Sequence, residues 1–427
     1  MSETKSSNAK HFIIVFGCML LQAIPYGMAQ NIPPLFIHYL NQDFGFSLAN
    51  IGLIFTVGAV AASLIAPFGG KFYSKFSTRL VMTGGLLLSA IGLFMNAFAN
   101  ELWVYYLANA VTQIGCVVYS GLGVPYLIGL WFDEKSKAKA LGIAFAGGSI
   151  GNFFLQPIFA NLLHKLATNS IAGLHKVYLI SAIVALVVGV AVLLLLIRDK
   201  KGVALENTAT NSANTVELKG IGSKNARSLK SFWILATGMF FIGMNVSAQS
   251  MQYANFFDAM KLPVAIVGTA GSTFAIACLI GNVGGGFLFS KLGVFHSANV
   301  AFVLQLLSAG SMIVLGLNPH LTWLAYVWAV LYGFTVFIYM SGPAVIIQDL
   351  FGMKESSETL GLFSIFFAIG FAIGNVIFGA IADNMGYIPA WISVIVFIVV
   401  GYVILVGSIK AIERKGYKDM MESDFTK

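Results

Sequence analysis

Charge is what this chain has least of. Only 10% of its 427 residues are Asp, Glu, Lys or Arg, against about 25% in a typical soluble domain. So few charges cannot clothe a water-facing surface, which excludes a soluble globule. Cysteine is scarce too. Cys18, Cys116 and Cys278 all sit inside apolar runs, an odd set with neither a disulfide framework nor metal-ligand spacing. The Gly-rich stretches Gly147-Gly148 and Gly284 to Gly286 follow no strand, so they read as close-packing surfaces rather than phosphate loops. No nucleophile–base pair and no cofactor motif is present, so neither an enzyme nor a cofactor is expected.

What is abundant is apolar. Hydrophobic residues make up 58% of the chain and mean hydropathy is +0.84. Lipid must be the solvent, and a chain in lipid satisfies its backbone only as helices or a closed barrel. Barrel strands alternate over about ten residues, whereas these runs last about twenty, the helix length for a bilayer. The expected fold class is an all-α polytopic membrane protein. Helices 1 to 6 are placed at 12–38, 50–70, 80–99, 102–130, 140–163 and 177–197. Helices 7 to 12 follow at 231–257, 264–289, 297–317, 321–348, 359–382 and 388–411.

The formal charge of +8 does not point to nucleic acid, because the bases follow a membrane pattern. With both termini inside, every Lys and Arg except Lys165, Lys176 and Lys261 falls on one side, as positive-inside orientation requires. The expected organisation is a six-helix bundle over 1–197, a flexible polar linker over 198–230, and a second bundle with a cytoplasmic tail over 231–427. The start, MSETKSSNAK, reads as a short polar tail.

The two halves repeat. Gly27-Met28 recurs as Gly243-Met244, an offset of 216. GGKFYSKFS (69–77) matches GGFLFSKLG (285–293), and GNFFLQPIFAN (151–161) matches GNVIFGAIADN (374–384). Such internal repeats are a mark of secondary transporters.

These residues resemble the major facilitator superfamily over nearly the whole chain. Gly70, Lys75 and Arg79 stand at positions of its loop 2–3 motif G-x-x-x-D-[RK]-x-G-x-[RK]-[RK], with Ser74 in place of the Asp and Ser77 in place of the second Gly. FGFS (44–47), LWFDEKSKAKALGIAFAGGSIG (130–151) and DLFGMKESSETLGLF (349–363) are most similar to the oxalate/formate antiporter and monocarboxylate porter group. The resemblance implies two six-helix bundles around a central cavity lined by helices 1, 4, 7 and 10. It also implies rocking alternating access, with Gly70, Lys71, Lys75, Arg79 and Lys291 forming a cytoplasmic gate against the charges of loops 4–5 and 10–11. Where that group commonly carries a helix 8 Arg, and some members a helix 11 Lys, this chain has Asn282 and Phe366. Their loss points away from oxalate, formate and lactate.

The acids agree. Asp43, Glu101, Asp258 and Asp383 fall on the outer side and the rest on the inner side, leaving none for the bilayer midplane. An intramembrane ionisable residue would ordinarily be the first functional candidate. Here the polar groups within the helices are neutral. The candidate cargo-binding residues are Tyr26, Gln30 and Asn31 in helix 1, Tyr119 in helix 4, and Gln156 in helix 5. Asn245, Gln249, Gln252 and Tyr253 in helix 7, Asn282 in helix 8, Tyr339 in helix 10 and Phe366 in helix 11 complete the set. Amides within membranes also act as interhelical glue, but Asn245, Gln249 and Gln252 share one helical face, which favours a cavity. The expected cargo is an amphipathic carboxylate of moderate size; bile-salt carriers of a similar clan make a steroid acid one example. Efflux of lipophilic drugs and small-monocarboxylate transport with replaced anchors are the alternatives. The protein is expected to be a monomer in a cell membrane of bacterial type, with the lipid bilayer as its surroundings.

Overall fold

The computed structural model describes residues 2–65, 68, 72–73, 75–132, 134–198, 220–352 and 356–420. Ten helices among them are long and apolar enough to cross a bilayer. An eleventh crossing is the pair Leu324–Met340 and Gly342–Phe351, bent by 44°. The twelfth is hidden in Val264–Leu317, whose 54 residues would run about 80 Å as one rod at the α-helical rise. That is more than twice the ~30 Å hydrocarbon thickness. The helix breaks inside at Gly293, with φ 73° and ψ 175°, so it is two spans. The twelve-helix all-α membrane fold expected from the sequence is the fold observed.

Helix ends follow local chemistry. Ser77 caps Thr78–Asn96 by accepting from the Leu80 amide, and Ser170 caps Ile171–Leu195 by accepting from Gly173. Gly45 closes helix 1 in the left-handed region at φ 67°. Helix 1 itself is broken. Ser2–Ala23 gives way to Pro25–Gln30, then to a 3₁₀ turn at Pro33–Phe36 and a last α segment at Ile37–Phe44. Its start corrects the expected polar tail, because the helix already runs from Ser2.

By Cα proximity the chain divides into two compact units. One holds Met1–Ala209 with Pro263–Ala275, and the other Thr210–Leu262 with Ile276–Lys427. The start of helix 8 thus groups with the first unit, where the Ser272 hydroxyl donates to the Phe153 carbonyl at 2.6 Å.

Each unit is knit by the same device. In the first, a Cβ on Gly147 or Gly151 of helix 5 would collide with the carbonyls of Met19 and Ala23 in helix 1. In the second, Gly370 and Gly374 of helix 11 would meet Phe240 and Met244 of helix 7 in the same way. These are small-xxx-small contacts, which let backbones touch where lipid offers no hydrophobic drive for association.

The expected flexible linker is corrected at its C-terminal end. Gly220 pairs with Gly352 in an isolated antiparallel bridge, and its amide donates to Met420 O at 2.9 Å. Ile221 is fully buried and donates to Phe351 O at 3.0 Å. Ser223–Ser228 then forms a short helix whose Arg227 pairs with Glu358 at 2.5 Å. An apolar anchor and a satisfied backbone hold this stretch against the second unit. Residues 199–219 of the expected linker lie outside the described residues.

Candidate functional site

In the second unit the amides of helix 7 are taken up in hydrogen-bonded networks within the bundle. Asn245 donates to Gln305 of helix 9 at 2.5 Å, and Gln305 donates to Thr335 of helix 10 at 3.1 Å. Gln249 donates to Asn245 at 2.8 Å, while its own carbonyl oxygen accepts from Ser308 at 2.8 Å and from Trp328 at 3.2 Å. Gln252 donates to Asn375 of helix 11 at 2.7 Å. Asn245, Gln249 and Gln252 are completely buried. Tyr253 is stacked on Trp328 at 4.6 Å. The expectation that this face looks onto a cavity is therefore revised: Asn245, Gln249 and Gln252 join helices 7, 9, 10 and 11 inside one bundle. The sequence reading missed Gln305 and Thr335, the partners that absorb them. Gln305 is the only Gln or Asn between 300 and 317, and that isolation was the available signal.

Helix 10 breaks beside this network. Leu324–Phe334 and Phe337–Met340 are separated by Thr335 and Val336, whose amides reach back three residues to Tyr332 and Gly333. Gly281 of helix 8 is so close that a Cβ would meet the carbonyls of Gly333 and Phe334. Its neighbour Asn282 is half-buried. Tyr339 is half-buried, with its ring stacked between Tyr332 at 6.4 Å and Phe367 at 6.2 Å. Phe366 lies edge-on to Trp233 at 5.8 Å, an apolar contact.

In the first unit, Val117–Leu122 of helix 4 is a π-helix. Adding the repeat offset of 216 carries it to 333–338, the break of helix 10. Widened or broken turns of this kind collect at functional positions because they free backbone groups. Ser120 of the π segment donates to Gln22 Oε1 of helix 1 at 3.0 Å. Tyr119 is fully buried, 3.8 Å from the Cys116 thiol, which in turn lies 3.4 Å from Ser89. Gln30 donates to Gln113, Asn31 donates to Gly148 O at 3.2 Å, and Gln156 donates to Asn31 O at 2.6 Å. Tyr26, Gln30 and Asn31 are half-buried. This set leaves buried polar atoms without a partner, namely Gln22 Nε2, Asn152 Oδ1 and Gln156 Oε1. Gln22 and Ser120 were not among the residues expected from the sequence.

Twelve spans in two units with matching close contacts and matching helix breaks form a transporter architecture, and comparison with known proteins decides the family. The model of the Major Facilitator Superfamily matches residues 18–357. The chain belongs to the Major Facilitator Superfamily. It is 25% identical over 410 residues to monocarboxylate transporter 13 of Rattus norvegicus, covering 93% of this chain and 87% of the relative. It is also 25% identical over 382 residues to the oxalate:formate antiporter of Oxalobacter formigenes, covering 84% and 82%. The solved nucleoside transporter NupG superposes with a TM-score of 0.73 at 18% identity, covering 95% of this chain and 99% of that one. The protein is a multi-pass membrane transporter, and its relatives and fold are those of transporters.

As a superfamily member it carries the loop 2–3 motif, but not all of it acts as a gate would. Gly70 and Lys71 lie outside the described residues. Lys75 and Lys291 are exposed. Arg79 donates from Nε to Leu193 O at 2.7 Å and from its other nitrogen to Leu194 O. It thus caps the C-terminal carbonyls of helix 6, where a cation meets the negative end of the helix dipole. Tyr73 is the loop residue that reaches inward: it is buried, donates to Val118 O of the π segment at 2.6 Å, and accepts Tyr126 on its own carbonyl at 3.0 Å. Burial, then the neighbouring Tyr126, push its phenol above the ordinary range, keeping it a neutral donor.

Proposed function

We propose that this transporter moves an amphipathic organic anion, a carboxylate carried on a sizeable apolar body such as a steroid acid, by alternating access. The halves 1–197 and 231–427 are the moving parts and 198–230 the linker. Both termini are cytoplasmic, the membrane is the plasma membrane of a bacterial cell, and a monomer suffices. The supporting observation is chemical. At the position where the resembled group commonly sets an Arg, and at the one where some members set a Lys, for a small carboxylate, the chain has the amide Asn282 and the ring of Phe366, the latter packed on Trp233. A small, strongly hydrated anion has no charged partner there and would be costly to desolvate. A larger apolar body offsets that cost through buried area, and neutral donors bind its head. Tyr26, Gln30, Asn31, Tyr119, Gln156, Tyr339, Asn282 and Phe366 are the lining residues on this reading, with Gln22 as an added donor.

The names of the monocarboxylate and oxalate:formate relatives favour the second reading, a small monocarboxylate. A thermal-shift screen of the purified protein separates the two, because a ligand stabilises in proportion to its occupancy. Steroid acids should raise the melting temperature in a concentration-dependent way, with lactate, oxalate and cationic drugs inert. A shift with lactate or oxalate alone would establish the second reading instead.

A further inference from the structure

The first unit encloses a cavity of about 30 Å³ among helices 1, 2, 3, 4 and 6. Ala29, Pro33, Asn96, Tyr105, Asn109 and Thr112 are on its wall. Three donors on this wall are already committed. Tyr105 donates to Ala99 O at 3.1 Å, Asn109 to Ile54 O at 2.6 Å, and Thr112 to Ala108 O at 2.8 Å. The acceptors are not. Asn96 Oδ1 is buried without a partner, in a residue only 9% exposed. The Ala29 carbonyl has lost its usual partner four residues on, because that residue is Pro33. The wall therefore offers two acceptors to a guest that can satisfy them.

Two guests can do that, water and a small cation. No Asp or Glu lines the cavity. A bare cation would shed its hydration with nothing to neutralise it, while water loses little and donates twice. One water needs ~10–15 Å³ measured in this way, so the space fits about two. We propose that this cavity is a built hydration site, in which two ordered waters bridge Asn96 Oδ1 and the freed Ala29 carbonyl. The waters satisfy the helix 1 break from inside the bundle. They give the Pro33–Phe44 arm a solvated pivot that lipid cannot provide.

Radiolytic hydroxyl labelling read by mass spectrometry tests the site, because buried water generates radicals where bulk solvent does not reach. Met28 and Tyr105 are 2% and 1% exposed, yet both should be oxidised in wild-type protein. Met239 and Met312, each fully buried elsewhere, should not. Asn96→Leu fills the space and removes the acceptor, and labelling of Met28 and Tyr105 should fall at least threefold. Ser181→Leu, which fills the same space from helix 6, gives the same reading should Asn96→Leu fail to fold. Wild-type labelling of Met28 no faster than that of Met239 overturns the proposal. So does a wild-type melting temperature that rises with sodium over choline at fixed ionic strength and loses that rise in Asn96→Leu, since the guest is then a cation.

Discussion

Gln249 shows how the meaning of a single amide depends on its neighbours. It donates to Asn245 and accepts from both Ser308 and Trp328, so all three partners lose a bond together when it is removed. Hydrogen bonds between membrane helices average about 0.6 kcal/mol each, and orphaned buried groups add desolvation cost. Gln249→Ala should therefore destabilise the protein by about 2 kcal/mol, seen as a lower melting temperature in detergent, while ligand-induced stabilisation persists. Loss of the ligand shift at unchanged melting temperature would return helix 7 to the cargo path. Tyr73 gives a parallel case. Tyr73→Phe keeps the ring stacked on Tyr126 at 4.7 Å but deletes the bond to Val118 O. The expected outcome is faster amide exchange over Val117–Leu122 with the remaining helices unchanged, measured by hydrogen–deuterium exchange. Neither role was legible in the sequence. Helical spacing shows which residues share a face but not which neighbour that face meets, and Tyr73 sits in a loop where no periodicity operates.

Elements were far more legible, for a physical reason. Bilayer thickness fixes how long an apolar run must be, so all twelve spans could be placed from hydropathy. Helices 8 and 9 also emerge as separate spans, parted at the non-helical Gly293, because together they are too long to cross once. The misses fall where polarity misleads. A polar N-terminus is helical from Ser2, and the basic, Ser- and Asn-rich stretch before helix 7 is anchored by Ile221. Glycine in the spans was legible as packing, and the contacts make that testable. Gly151→Val and Gly374→Val each place side-chain atoms against a carbonyl of the facing helix, Ala23 or Met244. Either substitution should abolish monodisperse behaviour in size-exclusion chromatography, whereas Gly84→Val, which meets nothing nearby, should be tolerated.

At the scale of the whole molecule, two bundles with repeat-related helix breaks and neutral interior polar groups carry the functional reading. The π segment of helix 4 and the interrupted helix 10 occupy matching places in the repeat. Both put freed backbone groups on helices that line the cavity of the superfamily. On the proposed reading, cargo handled by amides and phenols needs no titrating partner, and we infer exchange or facilitated flow rather than obligate proton symport. Solute counterflow in proteoliposomes tests this most directly. Labelled steroid acid should accumulate transiently against unlabelled acid at equal rates with and without a pH gradient. Strict dependence on the gradient would contradict the account.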